Sequence, residues 1–203
     1  MKHLVLERRL NRMKEVLSRR QKDLILFVDR VRNEHNFSAL IRTADAVGIL
    51  NIYYFYEEGK KAKINDAITL GAHKWVFIHE VENPISTLKK FKARGFQVVV
   101  TWLGEDTVDF REVDYTLPTV LVVGNELEGV STEVLELSTK RIKIPMIGMV
   151  QSLNVSVATA VILYEAFKQR EKAGLYDKPQ LSSKEVEAIL YKWAYEDILK
   201  RKK

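Results

Sequence analysis

At 203 residues, 46% of them hydrophobic and 30% charged, the chain is long enough to bury a core as one medium domain with appendages or two small ones. It has no cysteine, which excludes a disulfide framework, a thiolate metal site and a cysteine nucleophile. Its net charge of +6 is uneven: residues 1–22 carry eight Lys/Arg against two acidic residues and 168–203 carry ten against six, whereas 23–167 carry fifteen against nineteen.

In chain order, residues 1–22 place Leu6, Leu10, Met13 and Leu17 at helical spacing, so this basic end is a docked helix with an arginine-rich outer face. Such an arm either keeps a chain soluble or binds a polyanion, and RNA is the natural polyanion. The candidate contacts are Arg8, Arg9, Arg12, Arg19 and Arg20. From residue 24 the pattern alternates. Strands are expected at LILFVD (24–29), NIYYFY (51–56), WVFIHEV (75–81), FQVVVTWL (96–103), TVLVVG (119–124) and RIKIPM (141–146). Helices are expected at FSALIRTADAVG (37–48), closed by Gly48, at INDAITLGA (64–72), and at PISTLKKFKARG (84–95), opened by Pro84 and followed by Gly95. STEVLELSTK (131–140) and the stretch from about Ser152 to Gln169 are also expected to be helical. AGLYDKP (173–179) reads as a linker before a final amphipathic helix (182–203), with Ser182 or Ser183 as N-cap supported by Glu185. Strand–helix alternation with near-continuous apolar strands predicts an α/β domain with a mostly parallel sheet.

Ligands bind such sheets beyond the C-terminal strand ends, and three unusual polar clusters fall there. EHNFSALIRTADAVG (34–48) puts Asn36 at a helix start, as a cap or a site residue, and sets Arg42 among alanines, leucine and isoleucine. VLVVGNELEGVS (120–131) runs a buried strand into Gly124, which allows close backbone approach to a ligand, and into Glu126, either a working carboxylate or an acidic turn. The third cluster, Met146–Asn154, is a loop with two methionines and a leucine among Gly148, Gln151, Ser152 and Asn154. Ordinary loops are polar and rich in turn residues. Ser152 or Asn154 caps the following helix, or the loop folds inward around a ligand at that helix's N-terminus. No GxGxxG, GxxxxGK[ST] or GxSxG pattern occurs, so neither the usual dinucleotide site, nor a P-loop, nor a nucleophile elbow is supported. His3, His35, His73 and His79 are scattered, and no metal is expected. The lack of a long apolar run and of a signal pattern suggests a soluble, cytoplasmic protein.

NFSALIRTADAVG, VGNELEGVS and IPMIGMVQSLNVSVATA together resemble, in order and spacing, the three motifs of the SpoU/TrmH branch of the SPOUT RNA methyltransferases, over residues from about 34 to 168. The flanks RRLNRMKEVLSRRQKDL and VDFREVDYTLPT resemble its tRNA-methylating members. The resemblance implies a Rossmann-like sheet whose C-terminal part forms a deep trefoil knot, about 119–168. Around it would stand a basic N-terminal extension (1–22), a methyltransferase domain (23–170) and a C-terminal linker with helix (171–203). It implies S-adenosyl-L-methionine held by Thr101, Leu103, Gly124, Ile144, Met149 and Leu153, and a homodimer joined at the knot. It also implies 2′-O-methylation of a tRNA ribose, with guanosine 18 of the D-loop the first candidate. Another rRNA or anticodon-loop ribose, or a non-catalytic RNA-binding module, are the alternatives. Arg42 takes the place of the base, with Asn36 and Glu126 positioning it and Ser152 and Asn154 holding the loop. A guanidinium keeps its proton tightly, so Arg42 is expected to bind phosphate and orient the ribose, acting as base only if desolvated.

Overall fold

Seven short strands follow one another through the chain: β1 (Leu24–Val28), β2 (Asn51–Phe55), β3 (Phe77–Val81), β4 (Gln97–Thr101), β5 (Val108–Asp109), β6 (Thr119–Val123) and β7 (Lys140–Lys143). In the computed structural model, which describes residues 7–30, 32–56, 63–125 and 127–201, they form one sheet in the order β3-β2-β1-β6-β4-β7-β5. Every pairing is parallel. LILFV and TVLVV, the runs with no polar interruption, occupy the centre and are buried at every position. A central parallel strand is covered on both faces and gains from apolar side chains pointing either way.

Helices cover both faces. α2 (Glu34–Ala46) and α6 (Val155–Lys172) pack on one through Phe37, Leu40, Ile41, Ile162, Leu163 and Ala166. α4 (Pro84–Ala93) and α5 (Thr132–Glu136) pack on the other through Leu88, Phe91, Val134 and Leu135. α3 (Asp66–Thr69) is a single turn, followed by a 3-10 turn at Ala72–Lys74. A third apolar cluster joins α1 (Glu7–Ser18) to α7 (Ser183–Arg201), with Met13, Leu17, Leu181, Ile189 and Trp193 buried between them. Leu6 lies outside the described residues.

Local signals explain most boundaries. Asn83 caps α4 by accepting from Ser86 N at 2.9 Å, Pro84 follows it, and Gly95 lies beyond the end at φ 84°. Gly48 ends α2 at φ 85°, in the left-handed region where glycine carries no Cβ penalty. The cap of α2 is Asn33, whose Oδ1 accepts from His35 N and Asn36 N; Asn36 therefore sits inside the first turn rather than at the cap. The helix expected over 131–140 stops at Glu136, because Thr139 N already bonds to Val98 O and leads into β7. β5 and the short turn at Phe110–Glu112 were not anticipated.

The basic ends are partly internal. Arg20 is 1% exposed; its guanidinium pairs with Asp45 and donates to the carbonyls of Asp45, Ile49 and Trp75. This corrects the expectation that Arg20 meets RNA, since no donor face is left outward. Arg170 is fully buried as well, pairing with Asp23 at 2.6 Å and donating to Gln21 Oε1 and to the carbonyls of Tyr115 and Leu117. Breaking such a buried pair by removing one partner costs about 3–5 kcal/mol.

The start of α7 carries a capping box. Ser182 N and Oγ donate to Glu185 Oε2 at 2.8 Å, and Lys22 Nζ reaches Glu185 Oε1 at 2.6 Å. The lysine and the two serine hydrogen bonds hold the Glu185 carboxyl down at about 2, against an ordinary 4.5. A depressed carboxyl stabilises the fold above its ordinary value and loses that contribution as pH falls toward the depressed one. Wild type is therefore expected to lose stability between about pH 4.5 and 2 more steeply than Glu185→Gln in acid-unfolding curves. Coincident acid limbs would refute the assignment.

Candidate active site

Chain order sends β1, β2 and β3 out to one side of the sheet, while the strands after β3 build the other side around β6. The topological switch thus lies between β1 and β6, where an open parallel sheet makes its ligand crevice. A cleft of about 510 Å³ opens on the β6 side of that switch, over the C-terminal ends of β4, β6 and β7 and the first turns of α6. That volume suits a small-molecule cofactor, for which about 300–1,000 Å³ is usual.

The cleft has three walls. The first follows β4, with Thr101, Trp102 and Leu103. The second follows β6, where Gly124 and Asn125 turn back on Gly129: Asn125 N donates to Gly129 O at 3.2 Å and Gly129 N to Asn125 O at 3.1 Å. Asn125 Oδ1 also accepts from Leu127 N and Glu128 N, so one side chain holds the whole turn. A Cβ on Gly124 would lie 2.0 Å from Gly129 C and 2.3 Å from Val130 N. The glycine is therefore required by its own backbone neighbours, a reason the sequence did not offer, and it also lines the cleft. The third wall is the segment after β7. Among the described residues, 144–153 donate and accept no backbone–backbone hydrogen bond. Those N–H and C=O groups still need partners, from solvent, a ligand or another chain.

Five of the six expected cofactor residues line this cleft: Thr101, Leu103, Gly124, Ile144 and Leu153. Met149 is not among the residues lining it, and its side chain is 100% exposed. Of the expected catalytic residues, Ser152 and Asn154 sit on the rim. Asn154 caps α6 by accepting from Ser156 N at 2.9 Å, while its Nδ2 donates to Asn36 Oδ1 at 3.2 Å. Cap and site residue are thus the same side chain. Arg42 is not brought into the cleft. It is exposed, six residues beyond Asn36 and so about 9 Å along α2, and its Nη1 reaches Ile68 O only at 3.5 Å. Glu126 lies outside the described residues.

The sequence reading missed a clamp on the second wall. Arg30 adopts φ 57°, uncommon for a non-glycine residue, and so turns its guanidinium onto Glu128 Oε2 at 2.7 Å and Gly129 O at 3.2 Å. Arg32 adds a second contact to Glu128 at 3.3 Å. The end of β1 thereby grips the turn that β6 presents to the cleft. Among the described residues no cluster of His, Asp or Glu is placed to hold a metal, and no helix is long and apolar enough to cross a membrane.

A parallel α/β sheet with a cofactor-sized cleft at the C-terminal ends of its later strands, walled by apolar side chains and open backbone groups, defines a Rossmann-like enzyme that binds a small molecule late in the chain. The sequence pattern of the SpoU rRNA Methylase family matches residues 23–164, and that of the SpoU, rRNA methylase, C-terminal family matches 168–203. The chain belongs to the SpoU methylase family. It is 64% identical to the tRNA (guanosine(18)-2'-O)-methyltransferase of Aquifex aeolicus over 203 residues, covering all of this chain and 96% of that one. The crystal structure of the A. aeolicus TrmH/SpoU tRNA modifying enzyme superposes with a TM-score of 0.91 at 65% identity, over 94% of this chain and 97% of that one. The SpoU methyltransferase AviRb of Streptomyces viridochromogenes in complex with AdoMet superposes at 0.67 with 28% identity, over 75% of this chain and 62% of that one.

Proposed function

We propose that this chain transfers the methyl group of S-adenosylmethionine to the ribose 2′-hydroxyl of guanosine 18 in the tRNA D-loop. The observation that carries the reading is the full-length likeness to the A. aeolicus tRNA methyltransferase, which extends through both the cleft and the α1/α7 layer. The cleft fits the cofactor: Ile144, Leu153 and Ile162 offer apolar surface, and the open backbone of 144–153 offers donors and acceptors for the polar ends. When bound, S-adenosylmethionine supplies the sulfonium methyl carbon as electrophile. The hydroxyl oxygen would bond to that carbon as the sulfur–carbon bond breaks, the bonding pair remaining on sulfur as a neutral thioether and the hydroxyl proton passing to water.

The chain's own residues orient the nucleophile. Asn36 and Asn154, joined to each other, fix the starts of α2 and α6 at the rim where the ribose would enter. Arg42 has its guanidinium exposed, whereas a guanidine acting as base needs a dry site; its role is to hold the neighbouring phosphate and so aim the ribose. Ser152 steadies the rim of the third wall, and Glu126 serves as a positioning group.

Two further parts belong to this reading. The face of α6 left open by Val157, Val161 and Tyr164, continued by Ile147, Met149 and Val150, is covered by a second copy of the chain, with residues 119–168 threaded as a knot at the seam. An exposed apolar surface of this extent marks an interface. A monomer in sedimentation at micromolar concentration would contradict it. The N-terminal extension and the C-terminal helix act as one RNA-facing layer, with Arg8, Arg9, Arg12 and Arg19 exposed on it.

Methyl transfer from tritiated S-adenosylmethionine to unmodified tRNA transcripts tests the whole reading. Label is expected in the wild-type transcript and not in one lacking guanosine 18. Label retained in the substituted transcript would move the target to another ribose, and label in no tRNA would overturn the substrate.

A further inference from the structure

A second cavity, of about 340 Å³, lies away from the cofactor cleft, where α1, the last turn of α2 and α7 meet. It is open to solvent and walled by aromatic and charged groups. Its floor is the Trp75 indole, edge-on to buried Trp193 at 5.2 Å and 79°. The Arg9 guanidinium lies over the Trp75 ring, 5.7 Å from its centroid. Arg12 stands at the rim, oriented by Glu15 at 2.8 Å. At the inner end is the carboxylate of Asp45: Oδ1 is taken by Arg20, and Oδ2 accepts no hydrogen bond among the described residues. The Asp45 side chain is 28% exposed, so that oxygen has access to the cavity.

We propose that this cavity docks an unpaired guanine of the RNA substrate. The proposal rests on the chain acting on RNA, as set out above. Unpaired bases are recognised by stacking on aromatic faces and by hydrogen bonds to their edges. The guanine ring takes the place of the Arg9 guanidinium over Trp75. Its N1–H and 2-amino hydrogens donate to Asp45 Oδ2. Adenine presents an acceptor at N1, which faces the carboxylate lone pairs unfavourably. Arg9, displaced, joins Arg12 on the flanking phosphates, a role in keeping with their place on the basic face of α1. Asp45 lies three residues beyond Arg42, hence within one turn on α2, so the cavity and the catalytic rim share one rigid helix. Asp45 lies nine residues, about 13 Å, beyond Asn36 along α2, so the nucleotide docked here is separated from the methylated one by one or more others.

Equilibrium binding of tRNA transcripts and of S-adenosylmethionine to the full chain tests this. Trp75→Leu and Asp45→Asn are each expected to weaken tRNA binding about tenfold, with cofactor Kd unchanged and Trp75→Phe restoring most of the affinity. Guanosine monophosphate should compete with tRNA more strongly than adenosine monophosphate on wild type, and Asp45→Asn should abolish that preference. Variant tRNA affinities within twofold of wild type overturn the proposal, as does parallel loss of cofactor affinity, which would mark a structural role. If a variant does not fold, equal competition by the two nucleotides on wild type overturns it without any variant. Wild type that binds tRNA with these properties but never methylates it would sink the function proposed above and leave the docking cavity standing.

Discussion

Arg42→Ala is expected to slow methyl transfer to tRNA by about 10²–10⁴-fold, the usual worth of a group that handles the nucleophile's proton or position. Cofactor affinity should stay at the wild-type value, because Arg42 touches no wall of the cleft. Arg42→Lys separates the two roles open to it. If the residue holds phosphate and aims the ribose, lysine keeps the charge but loses the planar fork, giving partial activity with a flat pH profile. If it takes the proton, lysine should restore most activity with a rate that climbs toward the ordinary lysine range, near about 10.4. The exposed guanidinium and its long contact to Ile68 favour the flat profile. A climbing one would overturn the positioning role.

Gly124→Ala should be the most damaging single methyl group in the cleft. The new Cβ would sit 2.0–2.3 Å from Gly129 and Val130, and every atom it meets is backbone, which cannot swing aside as a side chain can. The paired hydrogen bonds between Asn125 and Gly129 would have to open, and Glu128 would be pulled from Arg30 and Arg32. A loss of about 3 kcal/mol in urea unfolding is expected. The rate of methyl transfer should fall by at least about 100-fold, since a 1 Å misplacement of reacting groups already costs that much. Wild-type stability together with a wild-type rate would contradict the steric account.

Much of the sheet was legible because a covered parallel strand leaves a simple mark: LILFV and TVLVV have no polar residue to interrupt them. β5 leaves none, since two residues carry no period, and it exists only because Val108 and Asp109 find Ile142 and Lys143 across the chain. The three polar clusters were found because polar residues inside apolar runs are costly unless they serve something. Their roles were harder to read. Asn33 and Asn36 are both able to cap a helix, and only the hydrogen bonds to His35 and Asn36 choose between them. Arg20 was expected at the surface because nothing local in the chain hints that Asp45 and Trp75 will surround it, and Arg170 gives as little sign of Asp23 and Tyr115. The clamp of Arg30 and Arg32 on Glu128 joins positions almost a hundred residues apart, and neither end stands out locally.

Those two buried guanidiniums change what kind of arms the chain holds out. Arg20 fastens the root of α1 to α2 and to the turn before β3, and Arg170 fastens the end of α6, just ahead of α7, to the strand that opens the sheet. An arm fixed at its root keeps its outward arginines at set distances from the cleft. A tethered tail would forfeit chain entropy on each encounter and accept any polyanion; moored helices forfeit little and accept only a surface whose phosphates match their spacing. If they meet RNA as proposed, these moored ends would act as a gauge, measuring the three-dimensional shape of an RNA before any base is read.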